Sequence, residues 1–252
     1  MITLATDFGE PYPAAMKGVI ARRTDADVTD IAHELPRQDV RAAAFWLRFV
    51  LPEFPPAVHC VVVDPGVGTD RKVLVVRAGG HALVGPDNGV LLPPARALAG
   101  EGDIEAFEVR VSDPESNTFH GRDVFAPVAA DCHEVGVAEC DRLPALSRTR
   151  EFESLSFPEP TERDDGIDGE VLVVDGFGNV VTNVPGEVLD GRDRVRVNGD
   201  PAPVAPSYAH VGQGDRLVTV GSHGNVEFAV NRGRGDEAFG LDPGDEIKLR
   251  WG

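Results

Sequence analysis

Lysine is nearly absent from this chain: Lys17, Lys72 and Lys248 are the only three in 252 residues, and arginine supplies the rest of the fixed positive charge. Basic residues total 24 against 42 acidic ones, a formal charge of −18. A surface of that sign repels phosphate backbones and anionic lipid headgroups, so neither nucleic acid nor a membrane is an expected partner. Acid excess with so little lysine fits a halophilic host whose salty cytoplasm screens the self-repulsion; a GC-rich genome favouring arginine codons is the blander account. Cysteine is sparse too. Cys60, Cys132 and Cys140 are odd in number and unpaired in spacing, and read as buried or free thiols in a reducing compartment. Neither Cys132-His133 with Cys140 nor any histidine pair has metal-ligand spacing, so no metal is expected. No apolar run approaches the roughly 20 residues that span a bilayer. Residues 1–7 lack the basic start and apolar core of a leader, and the expected location is cytoplasmic.

Hydrophobic residues still make up 42% of the chain, enough for a core in one large domain or two modest ones. The first 150 residues alternate strand and helix signals. Apolar runs at 1–5 and 57–63 read as strands, the second valine-rich as in a strand covered on both faces. Two further strands, 73–77 and 81–84, flank Gly79-Gly80. Helical spacing covers 14–23, 39–50 and, weakened by Pro127, 123–132. This pattern predicts an α/β domain with a largely parallel sheet over 1–150. Residues 151–168 are acidic, contain Pro158 and Pro160, and read as a linker. Over 169–252, six short strand signals separated by Gly, Pro, Asp or Asn predict a smaller all-β domain, an antiparallel barrel or sandwich.

Polar residues gather in loops at predicted strand ends, where open α/β sheets bind ligands. In Thr6-Asp7-Phe8-Gly9 the aspartate either accepts hydrogen bonds from a ribose diol or caps the next helix. In Asp64-Pro65-Gly66-Val67-Gly68-Thr69-Asp70-Arg71, glycines let backbone amides approach a ligand, and Asp64 and Arg71 meet across the turn or form a plain surface salt bridge. It is neither a Walker loop nor a dinucleotide fingerprint. His120, in Asn117-Thr118-Phe119-His120-Gly121-Arg122-Asp123, lines a site or caps a helix. No Gly-x-Ser-x-Gly elbow occurs. Asp175-Gly176-Phe177-Gly178-Asn179 and Gly221-Ser222-His223-Gly224-Asn225 read by default as hairpin loops. Residue chemistry alone stops at a two-domain protein binding a small polar ligand.

Taken in order with Gly85-Pro86-Asp87-Asn88-Gly89, these segments resemble the S-adenosylmethionine (SAM) hydroxide adenosyltransferases, adenosine-forming hydrolases related to fluorinase and chlorinase. The resemblance spans nearly the whole chain. It implies an N-terminal α/β domain, a C-terminal β domain, and a homotrimer with sites between neighbouring subunits. It implies hydrolysis of SAM to adenosine and methionine with no cofactor. The family's hydrolytic signature falls on Asp64, Arg71 and His120, and the halogenating relatives do not keep the aspartate and histidine. The resemblance places Asp7 at the ribose hydroxyls and Gly121 among the substrate-binding residues. Tyr12 and Gln38 fall at the ribose or methionine end, and Glu10 at the methionine ammonium, in a loop shorter than the family's usual one. Asp175, Asn179 and Ser222 would come from the neighbouring subunit to meet adenine and methionine. A chloride-using adenosyltransferase and a non-catalytic SAM or adenosine sensor are the rival readings; a carboxylate in the nucleophile pocket disfavours the first.

Overall fold

Five consecutive buried residues, Ile-Thr-Leu-Ala-Thr, form the first strand, β1 (Ile2–Thr6). The computed structural model describes residues 1–111, 116 and 118–251, in two units, residues 1–156 and 157–252. Asn117 lies outside the described residues. In the first unit β1 is followed by α1 (Tyr12–Ala21), β2 (Val28–Ala32), α2 (Val40–Val50), β3 (Val58–Val62), β4 (Val73–Ala78) and β5 (His81–Pro86). Then come α3 (Leu92–Ala99), β6 (Ile104–Val109), α4 (Ala126–Val135) and β7 (Leu146–Thr149).

These strands form one mixed sheet in the order β2-β1-β3-β5-β4-β6-β7. The half from β2 to β5 is parallel. The other half is antiparallel, entered through the Gly79-Gly80 hairpin. Gly79 has φ +56°, and a Cβ there would stand 2.0 Å from the Leu98 carbonyl oxygen, so no other residue fits that turn. Alternate β3 residues Val58, Cys60 and Val62 join Ile2, Leu4, Met16, Ile20, Phe125 and Ala129 in the core beneath α1 and α4. Helix α2 packs on α3.

Local chemistry explains the helix ends. Asp39 is not the first residue of α2 but its N-cap, accepting the Ala42 amide at 2.8 Å, a contact worth about 1 kcal/mol. The helix expected at 123–132 begins instead as a π-type turn, Gly121–Phe125, that runs into α4. Pro127 therefore sits in the first turn of α4, where its missing N–H is tolerated.

The second unit holds β8 (Thr161–Arg163), β9 (Gly166–Val174), β10 (Val180–Pro185), β11 (Arg194–Val197), β12 (Asp200–Pro203), β13 (Arg216–Val220) and β14 (Asn225–Val230). A single helical turn, α5 (Gly235–Phe239), and β15 (Glu246–Trp251) complete it. The strand order is β12-β11-β15-β9-β10-β14-β13, with β8 on β9 and every pair antiparallel. A bridge between Val204 and Val218 joins the two ends of that order, so the sheet curls nearly closed around Val171, Val184, Phe228 and Leu249. The stretch read as a linker, 151–168, becomes strand from Thr161 onward. Arg163 (2.8 Å) and Arg250 (2.6 Å) both bind Asp168 there, and these pairings absorb acidic residues that make the sequence look unstructured. Among the described residues no helix is long and apolar enough to cross a membrane.

Candidate active site

Strands β1 and β3 are parallel neighbours, so the residues that follow them emerge side by side at the carboxyl edge of the sheet. The first is Asp7. Its Oδ2 accepts the Gln38 backbone N–H at 2.6 Å, and Gln38 is held at φ +59°, an uncommon conformation for a side-chain-bearing residue. No side chain caps α1, so Asp7 is not a helix cap. Thr6 Oγ1 lies 3.0 Å from His33 Nδ1, tying the same loop to the segment after β2.

The second is Asp64, whose side chain is 2% exposed and faces Arg71, 11% exposed. Oδ1 accepts Arg71 Nε at 2.6 Å and the Gly66 amide at 3.1 Å; Oδ2 accepts Arg71 Nη2. The pair is therefore buried, not a surface salt bridge. The Thr69 hydroxyl donates to the Gly66 carbonyl (2.7 Å), closing the turn that brings Arg71 back over Asp64. Arg71 Nη1 donates to the Lys72 carbonyl at 3.0 Å, and the guanidinium lies 5.0 Å from the Phe125 ring centroid. The Gly85–Gly89 segment supports this geometry from behind, since Asn88 Nδ2 donates to the Val63 carbonyl at 2.9 Å.

His120 completes the group, with Nδ1 3.4 Å from Arg71 Nη2. A guanidinium only donates, so Nδ1 accepts and the proton of a neutral ring sits on Nε2. His120 makes no side-chain cap to the helical turn it precedes. Three protein donors occupy most of the roughly four acceptor positions of the Asp64 carboxylate, leaving room for one more hydrogen. That arrangement orients a water molecule better than it abstracts its proton.

A cavity of about 820 Å³ opens on this edge. Asp7, Tyr12, Gln38, Asp64, His120 and Gly121 all line it, so six of the predicted residues are brought together. Arg71 stands behind Asp64, and Glu10 is exposed and does not line the cavity. Sequence reasoning missed Phe8, Arg37 and Phe119, which line it as well. Their signal was an aromatic or cationic residue directly beside a motif residue.

In the second unit, Asp175 Oδ1 accepts the Asn179 amide and Oδ2 accepts Asn179 Nδ2, at 2.8 and 2.9 Å. Asn179 Nδ2 also reaches the Tyr208 hydroxyl (3.3 Å), which donates to Glu227 at 2.7 Å, and Glu227 lies 3.4 Å from His223 Nε2. Burial, with Glu227 beside it, pushes the Tyr208 hydroxyl pKa above its ordinary value. Ser222 is exposed on the turn next to His223. The Tyr208–Glu227 link was also missed; a glutamate within the buried run Val-Glu-Phe-Ala-Val was its signal. Among the described residues no group of three or more His, Cys, Asp or Glu side chains is arranged to hold a metal ion.

Residues 2–140 match the SAM hydroxide adenosyltransferase N-terminal domain and residues 169–248 the C-terminal domain of the same family. The chain belongs to the SAM hydroxide adenosyltransferase family. The (R)-S-adenosyl-L-methionine hydrolase of Salinispora tropica is 41% identical over 257 residues, covering 100% of this chain and 98% of its own length. That of Thermus thermophilus is 39% identical, covering 97% of each chain. An uncharacterised conserved protein from Thermotoga maritima, known from its crystal structure, superimposes with a TM-score of 0.81 at 36% identity, covering 100% of both chains. Family membership thus agrees with the two-unit architecture and with the motifs at the β1 and β3 ends.

Proposed function

We propose that this protein hydrolyses SAM to adenosine and L-methionine. The carrying observation is the buried Asp64–Arg71 pair with His120 beside it, opening on a cavity that Asp7 enters from the adjacent strand. Water attacks ribose C5′, the C5′–S bond breaks, and its electron pair returns to sulfur as the neutral thioether of methionine. As the C5′–O bond forms, the attacking oxygen becomes an acidic oxonium and passes one proton to the free acceptor position of Asp64 and on to solvent. A thioether leaves without protonation, so no general acid is required at sulfur. What remains is to hold the ribose, through Asp7, and to hold a water in line with the C–S bond, through Asp64 and His120. Arg71 fixes the Asp64 carboxylate and, through its contact with Nδ1, the His120 ring, so that both groups that hold the water are preorganised. The sulfonium already activates the carbon, and we assign the reaction no metal or cofactor.

The relatives' names specify (R)-S-adenosyl-L-methionine. Since "L" fixes the amino-acid carbon, (R) describes the pyramidal sulfur, and the same sulfur configuration is proposed as the substrate here. The remaining parts of the reading follow the family resemblance: a cytoplasmic homotrimer in which Asp175, Asn179 and Ser222 of one subunit meet the substrate held by another. Incubating the protein with each sulfur epimer and separating the products tests this. Equal amounts of adenosine and methionine, formed faster from the (R) form, support it. Chlorinated adenosine, or binding without turnover, overturns it in favour of a halide adenosyltransferase or a sensor.

A further inference from the structure

We propose that Phe8, Tyr12 and Phe119 form an aromatic corner that holds the positively charged sulfur of the substrate and selects sulfonium over thioether. The assignment rests on the hydrolase reading above. The three rings stand almost mutually perpendicular: Phe8–Tyr12 at 90° and 6.2 Å between centroids, Phe8–Phe119 at 87° and 6.2 Å, Tyr12–Phe119 at 81° and 5.3 Å. All three line the same cavity as Asp64 and His120. Phe8 directly follows Asp7, and Phe119 directly precedes His120. Chain adjacency thus ties one ring of the corner to the ribose anchor and another to the water-holding group.

In-line displacement puts the sulfur on the far side of C5′ from the water, roughly 5 Å away once a near-attack approach and one C–S bond are added. A cation at that place meets the negative faces of aromatic rings, which attract it most strongly where water is excluded. Phe8 and Phe119 are fixed by packing on the core, while Tyr12 is 52% exposed and forms the outer wall. A competing cation, Arg122, lies 5.3 Å from the Phe119 centroid, but Asp123 neutralises it through contacts at 2.5 and 3.0 Å.

The corner loses its hold when the bond breaks, because the charge disappears from sulfur at that moment. It thus favours the charged substrate over the neutral products and helps methionine leave. Such a contact acts on the ground state more than on the transition state, so its removal raises KM without lowering kcat.

The test compares SAM with S-adenosylhomocysteine, the neutral thioether that lacks the sulfonium methyl. Tyr12→Leu keeps apolar bulk at a half-exposed position and removes the ring. It is expected to raise KM for SAM about tenfold while changing the inhibition constant of S-adenosylhomocysteine by about twofold or less. Tyr12→Phe keeps the ring and is expected to preserve the wild-type ratio of the two constants. Equal weakening of both ligands, no change in either, or a fall in kcat with KM constant overturns the proposal. If the wild-type protein does not turn SAM over, the hydrolase reading fails, and calorimetric affinities for the same two ligands still decide the role of the rings.

Discussion

Replacing Asp64 by asparagine exchanges one carboxylate oxygen for an NH2 group and exposes what the ion pair does. The carboxylate takes three protein donors across its two oxygens. An asparagine oxygen can take only one side of the fork, and its NH2 then faces an arginine N–H, donor against donor. The Arg71 guanidinium is left without a counter-charge at 11% exposure. Breaking a buried pair this way costs about 3–5 kcal/mol. The lower end applies here, since Arg71 keeps the Lys72 carbonyl and the Phe125 ring. For a chain of this size, about 3 kcal/mol corresponds to a fall in Tm of roughly 6–12 °C. Loss of the group that orients the water is expected to lower turnover by about 10²-fold or more. Scanning calorimetry gives the first quantity, and adenosine release measured well below the lowered Tm gives the second. A folded Asp64→Asn protein with turnover within a few-fold of wild type would refute the placement of water at Asp64. An unchanged Tm would refute the account of the pair as buried and interdependent.

Three further outcomes are expected. On the face of β1 and β3 opposite α1 and α4, buried Thr3, His59 and His81 form a hydrogen-bonded row at 2.8 and 2.9 Å. Burial, and secondarily the neighbouring His81, pushes the His59 pKa down to about 3, whereas the unfolded chain takes up the proton near 6.5. The unfolded state binds more protons between those values, so stability should fall as pH drops below 6.5, by about 1.4 kcal/mol per pH unit from His59 alone. Urea unfolding at pH 6.5 and 5 measures this, and a flat profile contradicts it. The charge of −18 predicts that Tm rises as salt is raised from about 0.1 M to 1 M, where the screening length shortens from about 10 to 3 Å. A Tm indifferent to salt removes the salt-adaptation reading. Turnover should survive exhaustive chelation; loss restored by one added metal would contradict a mechanism driven by the sulfonium itself.

The legible parts of the fold were those with strong local chemistry. Both-face burial makes β1 and β3 near-continuous apolar runs, and Asp39 marks the start of α2. Strands β2 and β7 carry polar residues at half-exposed sheet edges, where pairing rather than pattern creates them. Helix α3 opens with Pro93 and Pro94, residues that weaken a helical signal in sequence but fit the first turn of a helix. The polar motifs of the site were visible as loops, yet two of their meanings depended on geometry. Asp64 and Arg71 differ from a surface pair only through burial, and Asp7 differs from a helix cap only through its bond to Gln38. The aromatic corner was invisible because its rings come from three separate positions that only the folded loops bring together.

The proposed reaction stands or falls on attack of water at the ribose carbon. Running the reaction in water enriched in oxygen-18 tests it most directly, with mass spectrometry of the products. The account predicts adenosine carrying the heavy oxygen at its 5′ position and unlabelled methionine in equal amount. Adenosine without the label, or a 5′ substituent other than hydroxyl, would contradict it.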